Sequence, residues 1–311
     1  MQQFHSTSRP NTLQDKVSKD HSDTRVTPSA AAGPEVRIAT ALGMDADARA
    51  ALDRLTQLAK SGKICVAGRF MPDAGVSARL ALLGVMEHVQ EADFFKFRTI
   101  VIPFSGIPPR HRRDWEEAGY PLEDLTSPQV RRAQVTLGLL KMEGAQALVI
   151  GRHDDAESQA IAGGNSSTRI LQDTTDTARL LFAPAFGVVC QTTLSPRRVS
   201  WLVQQLRLRW RDARVTFLNT VSSAMTAREE ALERLLVVCD RAVIVGEAGE
   251  SSCEALLETA LRRGKPAVVV NTPEALAATD FPPNEKVALT AGAFATDEAI
   301  RRVVEKLKSI A

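Results

Sequence analysis

"GAQALVIGRHDDAESQA", residues 144–160, reads as a buried strand, a glycine, an acidic polar loop and the start of a helix. The same layout returns in "CDRAVIVGEAGESSCEA", residues 239–255. A second pair follows: "GVVCQTTLSPRRVSWLVQQL" (187–206) and "KVALTAGAFATDEAIRRVVEKL" (286–307) are each a strand, a small-residue turn and a helix. Near-continuous Val/Ile runs mark strands covered on both faces, the habit of parallel sheets flanked by helices. Two α/β lobes of similar plan are therefore expected, with an earlier, shortened one before them.

Outward from these repeats the pattern continues. "ICVAG" (64–68), "TIVIPF" (99–104), "ALVIG" (147–151), "FGVVCQ" (186–191), "RVTFLN" (214–219), "RAVIVG" (241–246), "PAVVV" (266–270) and "KVALTAG" (286–292) predict strands. Helical spacing is present in 47–60, 74–90, 127–143, 195–210, 226–238, 252–264 and 296–310. Thr226 and Glu229 fit the S/T-x-x-E pattern that opens a helix. The expected organisation is a disordered tail over 1–35, a helical extension over 36–61, and lobes over 62–127, 128–221 and 222–311. In open α/β sheets ligands sit off the carboxyl ends of strands, so the polar turns after these runs are the places to search.

Composition bounds the function. The 311 residues are 44% hydrophobic and 24% charged, with 39 basic and 37 acidic side chains. So even a balance gives no general drive toward nucleic acid or an anionic membrane. No apolar run approaches the roughly 20 residues that span a bilayer, and no apolar signal core opens the chain, so a cytoplasmic location is expected. Cys65, Cys190, Cys239 and Cys253 form no C-x-x-C pair and read as small buried hydrophobes. The basic stretches 108–115 and 206–214 read as solvated helix faces.

Walker A, G-x-G-x-x-G, G-x-S-x-G and H-E-x-x-H motifs are absent. "GRHDDAESQ" (151–159) packs His153, Asp154, Asp155 and Glu157 behind a strand. Such a set is either a solvated acidic loop or a group for acid–base or hard-metal chemistry. "CQTTLS" (190–195) and "GESSCE" (249–254) offer hydroxyl and N–H groups at helix starts, suited to anions or to simple capping.

Together "CQTTLS", "TAREEA", "AVIVG…SS…LLETALRRGKPAVVV", "ALTAGAFATDEAI" and "AGVSARL" resemble the LytB/IspH family of 4-hydroxy-3-methylbut-2-enyl diphosphate reductases. The resemblance implies three small α/β lobes with mostly parallel sheets, in pseudo-threefold arrangement around a central cavity. It also implies a 4Fe–4S cluster held by one cysteine from each lobe. In this chain those three positions are Asp73, Ser127 and Ser222. The family's pocket histidines fall on Ser105 and Asp155, its diphosphate-holding tripeptide on Glu250, Ser251 and Ser252, and a last phosphate-binding serine on Phe294. Glu157 matches the proton-relay glutamate and Thr192 the pocket threonine; Arg228 is kept.

Iron–sulfur clusters take soft thiolates, and a serine hydroxyl is hard. The substitutions therefore predict a cluster-free protein with a small-molecule ligand in its central cavity. Its expected chemistry is non-redox, as a lyase, hydrolase or isomerase, with catalytic Glu157, Thr192, Asp73 and Asp155. Ser105, Ser127, Ser222, Ser251, Ser252, Glu250 and Phe294 are the expected binding residues. A ligand sensor and a retained reductase are the alternatives. No cofactor is expected, unless a divalent metal replaces the cluster; nucleic-acid and membrane partners are not expected.

Overall fold

The computed structural model describes residues 33–164, 167–277 and 280–310. The expected tail lies outside them as far as residue 32. The described chain enters through strand β1 (Glu35–Ile38) and helix α1 (Ala46–Ala59). Residues 36–61 thus contain a strand as well as the expected helix.

Three sheets follow, and every strand pair in them is parallel. The first is β2 (Ile64–Val66), β3 (Thr99–Ile102) and β4 (Leu122–Asp124), in that order. Helix α2 (Ala74–Leu82) and helix α3 (Pro109–Glu117) lie between those strands in the chain, and α4 (Pro128–Met142) leads on. The second sheet contains β5 (Gln146–Ile150), β6 (Arg169–Leu171), β7 (Ala185–Cys190) and β8 (Arg214–Phe217), ordered β6-β5-β7-β8. Its connections are α5 (Ala156–Ala162), α6 (Thr174–Arg179) and α7 (Pro196–Arg209). After α8 (Ser223–Leu236), the third sheet contains β9 (Arg241–Val245), β10 (Ala267–Val270) and β11 (Lys286–Ala291), with β1 added at its edge: β1-β11-β9-β10. Helices α9 (Ser251–Arg262) and α10 (Asp297–Ser309) complete it.

Alternating side chains decide what each face packs against. In β5, Leu148 and Ile150 join the α7 side with Val199, Leu202 and Leu206, while Ala147 and Val149 join the α4 side with Val130 and Leu137. In β9, Val243 and Val245 meet α10, and Ala242 and Ile244 meet α8 and α9. Each large apolar side chain so buried is worth roughly 1.5–3 kcal/mol. Val101 of β3 packs with α1 and α2; Ile100 and Ile102 pack with Phe94 and Trp115.

The sequence repeat extends to single atoms. Gly151 and Gly246 hold matching places, and a Cβ on either would meet the helix behind it, Ser158 Oγ at 2.3 Å or Cys253 Sγ at 2.4 Å. At such a distance the facing side chain would have to shift.

Two local readings change. The helix expected over 74–90 ends at Leu82; Gly84 turns with φ +75°, and Met86 then bridges to Cys65. Helix α8 opens at Ser223, because the Ser222 hydroxyl accepts Met225 N–H at 3.1 Å. Thr226 is inside the helix, and Glu229 is buried, accepting the hydroxyls of Ser195 and Thr259 at 2.9 and 2.7 Å. Glu229 therefore serves tertiary packing rather than a capping box.

Candidate functional site

The carboxyl ends of the strands and the helix starts behind them build the site. After β5, Asp155 opens α5: its Oδ1 accepts the N–H groups of Glu157 and Ser158 at 2.9 and 3.1 Å. This cap sets the first helical turn, and Glu157 in it is buried. Glu157 Oε1 accepts the N–H of Thr192, just past the end of β7, at 2.5 Å. Burial, and then the nearby Asp155 charge, push the Glu157 carboxyl up to about 8. At neutral pH it holds its proton.

The third lobe repeats this arrangement with different chemistry. Glu250 opens α9 as Asp155 opens α5, accepting Ser252 and Cys253 N–H, both at 3.0 Å. Ser252 sits where the second lobe has Glu157, and its hydroxyl accepts Ala293 N–H at 2.7 Å, as Glu157 accepts from Thr192. Ser252 also donates its hydroxyl to Glu250. Burial raises the Glu250 carboxyl above its ordinary range.

Asp73, Ser127 and Ser222 all do the same local work: each is the side-chain N-cap of a helix. Asp73 accepts Val76 N–H at 2.8 Å, Ser127 accepts Gln129 N–H at 3.3 Å, and Ser222 caps α8. All three are buried. Burial raises Asp73, helped by the charge of Glu247. Ser105 Oγ is shut from solvent with no hydrogen-bond partner among the described residues. Phe294 packs its ring edge-on against Phe104, centroids 6.1 Å apart.

The acidic stretch 153–157 is split rather than gathered. His153 pairs outward with Asp176 at 2.9 Å and Asp154 with Arg152 at 3.1 Å; Glu157 alone turns into the interior. Among the described residues no group of three or more His, Cys, Asp or Glu is placed to hold a metal ion. Cavities of about 830, 570 and 190 Å³ open elsewhere; Asp73 lines the second and Ser251 the third, and none of the three is lined by Glu157 or Thr192.

Several contacts that join the lobes carry no local sequence signal. Arg69 grips Glu247 through two bonds of 2.8 and 2.7 Å. Gln191 donates to Ser251 at 2.8 Å and Thr193 at 3.1 Å, and accepts from Ser158 at 3.0 Å. Arg152 reaches the Gly249 carbonyl at 3.0 Å. Arg228, buried in α8, donates from Nε at 3.1 Å and from its terminal nitrogen at 2.5 Å to the Gly43 carbonyl. Burial lowers its pKa.

Across residues 36–308 the chain matches the LytB protein family. It belongs to that family. A 4-hydroxy-3-methylbut-2-enyl diphosphate reductase of Treponema denticola is 27% identical over 290 residues, 88% of this chain and 98% of that protein. One of Methylibium petroleiphilum is 29% identical over 215 residues, 68% of this chain and 65% of that protein. The solved E-1-hydroxy-2-methyl-but-2-enyl-4-diphosphate reductase of Plasmodium falciparum has the same fold, with TM-score 0.80, 22% identity and 87% of each chain covered. The three-lobed α/β fold is thereby established.

These relatives correct two expectations. The non-redox lyase, hydrolase or isomerase gives way, since the named relatives are reductases. The expectation of no cofactor gives way too, since a LytB family member of this kind indicates the iron–sulfur cluster. At the three positions that the resemblance assigns to cluster ligands, the side chains present do not fit that cluster. Asp73, Ser127 and Ser222 offer oxygen already used in helix capping. Cys65, Cys190, Cys239 and Cys253 are free and buried elsewhere in the lobes. The Cys65 thiol is pushed up to about 11 by burial, far from the thiolate that iron binds.

Proposed function

We propose that this chain is a 4-hydroxy-3-methylbut-2-enyl diphosphate reductase, taking its allylic diphosphate among the strand ends of the three lobes. The observation that carries the reading is Glu157, a buried carboxyl that keeps its proton to about pH 8. Reductive loss of an allylic hydroxyl consumes two electrons and two protons and releases water. One proton must reach the departing oxygen, and a buried neutral carboxyl is the acid for that task at neutral pH. Thr192 N–H and the Asp155 cap fix its position. At the start of α9 the Ser251 hydroxyl, which accepts from Gln191, still has its own proton to donate to an anionic group, while Glu250 takes the Ser252 and Cys253 N–H groups. The reading places the protein in the cytoplasm, where free thiols persist. The experiment is anaerobic turnover of 4-hydroxy-3-methylbut-2-enyl diphosphate with a reduced one-electron dye. Dehydroxylated allylic diphosphate is the expected product. Absence of product while the substrate demonstrably binds would overturn the reading.

A further inference from the structure

The free edge of the second sheet carries a feature that the reductase reading leaves unused. β6 is the outer strand there, and the cavity of about 830 Å³ opens against it, walled by β6, α5, α6 and the turn 180–183. Sites for small molecules run from roughly 300 to 1,000 Å³. Neither Glu157 nor Thr192 lines it.

Four observations indicate what such a molecule would be. The first is charge. Arg169 of β6 and Arg179 of α6 both line the cavity, and neither has an ion pair or hydrogen bond among the described residues. The one acidic side chain on the described wall, Asp176, is already taken: its Oδ2 accepts Gln172 N–H at 2.8 Å and pairs with His153 Nε2 at 2.9 Å. The second is the repeat. Leu148 and Val243 hold matching places, and each pairs with the edge strand beside it, Leu148 with Arg169 and Val243 with Val268. The third lobe thus fills with valine the position that the second lobe fills with arginine. A β-branched residue is the ordinary occupant of a strand, so the guanidinium answers no need of the sheet. The third is Thr168, just before β6. It lines the cavity, is 7% exposed, and keeps a hydroxyl without a partner among the described residues. A buried hydroxyl left unpaired is costly, and a ligand oxygen in the adjoining space relieves that cost. The fourth is apolar surface on the same wall. Leu181 is 86% exposed and Phe182 58%, although Phe182 is backed by Trp210 with ring centroids 5.7 Å apart. Large apolar side chains left open beside unpaired cations suit a ligand with both characters.

We propose that this cavity is a second ligand site, for a soluble organic anion with an apolar or aromatic body. Arg169 and Arg179 take its phosphate or carboxylate head, and Leu181 and Phe182 take its body. The site is separate from the strand-end chemistry and stands whether or not the chain is a reductase.

The probe is anilinonaphthalene sulfonate, an aromatic body with an anionic head whose fluorescence rises on binding, titrated into the full chain. A single saturable site is expected, from which phenyl phosphate displaces the dye at concentrations where inorganic phosphate displaces little. Arg169→Gln combined with Arg179→Gln should weaken dye binding by about tenfold or more, with urea unfolding unchanged. Phe182→Ala should weaken it while removing no charge. The control is Arg301→Gln combined with Lys308→Gln, which takes the same charge from exposed positions on α10 and should leave binding as it is. No saturable binding, unchanged binding in either site variant, equal weakening in the control, or displacement by inorganic phosphate as readily as by phenyl phosphate each overturns the proposal. So does co-sedimentation of the chain with phosphatidylglycerol vesicles that the paired arginine substitutions abolish, since the head group is then a lipid's.

Discussion

Glu157→Gln is the perturbation whose consequence follows most directly from the structure. The native carboxyl titrates near 8 instead of 4.5. Between those values the unfolded chain is ionised and the fold is not, so the unfolded state binds fewer protons and stability falls as pH rises. Each pH unit of that interval costs about 1.4 kcal/mol, and the interval of roughly 3.5 units sets an upper bound of about 5 kcal/mol lost by pH 8. Glutamine retains an acceptor for Thr192 N–H and cannot ionise, so the variant escapes this loss. Asp73, Asp155 and Glu250 are raised as well and tilt both proteins in the same direction. The informative quantity is therefore the difference between the two proteins. Urea unfolding at about pH 5 and about pH 9 should show Glu157→Gln gaining about 3–5 kcal/mol on the native chain between the two conditions. Parallel pH dependence in the two proteins would refute the buried neutral carboxyl. The same variant should lower kcat by roughly 10²–10⁴, because an amide has no proton to give.

Other outcomes follow from single contacts. Ser222→Ala should cost about 1 kcal/mol and Thr226→Ala much less, since Ser222 caps α8; chemical denaturation ranks them, and the reverse order contradicts the assignment. Gly292→Ala should destabilise by about 1–3 kcal/mol, because its Cβ would lie 2.4 Å from Cys253 Sγ. Cys253→Ala in that background should recover part of the loss, and strict additivity of the two would speak against the contact. Arg228→Met should cost about 2–4 kcal/mol by leaving the Gly43 carbonyl without its donors, read by thermal unfolding.

The apolar runs made most of the fold legible, and the repeat made its plan legible before any contact was known. Three strands escaped: "EVRI" in β1, "LED" in β4 and "RIL" in β6. All three lie at sheet edges, half-covered, where no continuous apolar run is needed. The over-long helix at 74–90 shared its apolar spacing with the bridging segment after Gly84, which periodicity cannot separate. At the site, residue spacing offered Glu157 only as one of four in an acidic stretch, and the family likeness singled it out together with Thr192 and Glu250. Gln191, Arg69 and Glu247 had no signal, because a glutamine after a strand or a charged residue in a turn gains its meaning only from a partner far along the chain. Arg69 and Glu247 are 178 residues apart. The functional expectation failed for a related reason. Three substituted positions outweighed a likeness that runs through nearly the whole chain, whereas the relatives that share this fold are reductases.

The most direct measurement is anaerobic turnover of 4-hydroxy-3-methylbut-2-enyl diphosphate by the full chain with a reduced dye, followed across pH. The account predicts dehydroxylated product, with a rate that declines as pH rises through about 8 and Glu157 loses its proton. Substrate that binds yet is recovered unchanged at every pH would contradict it.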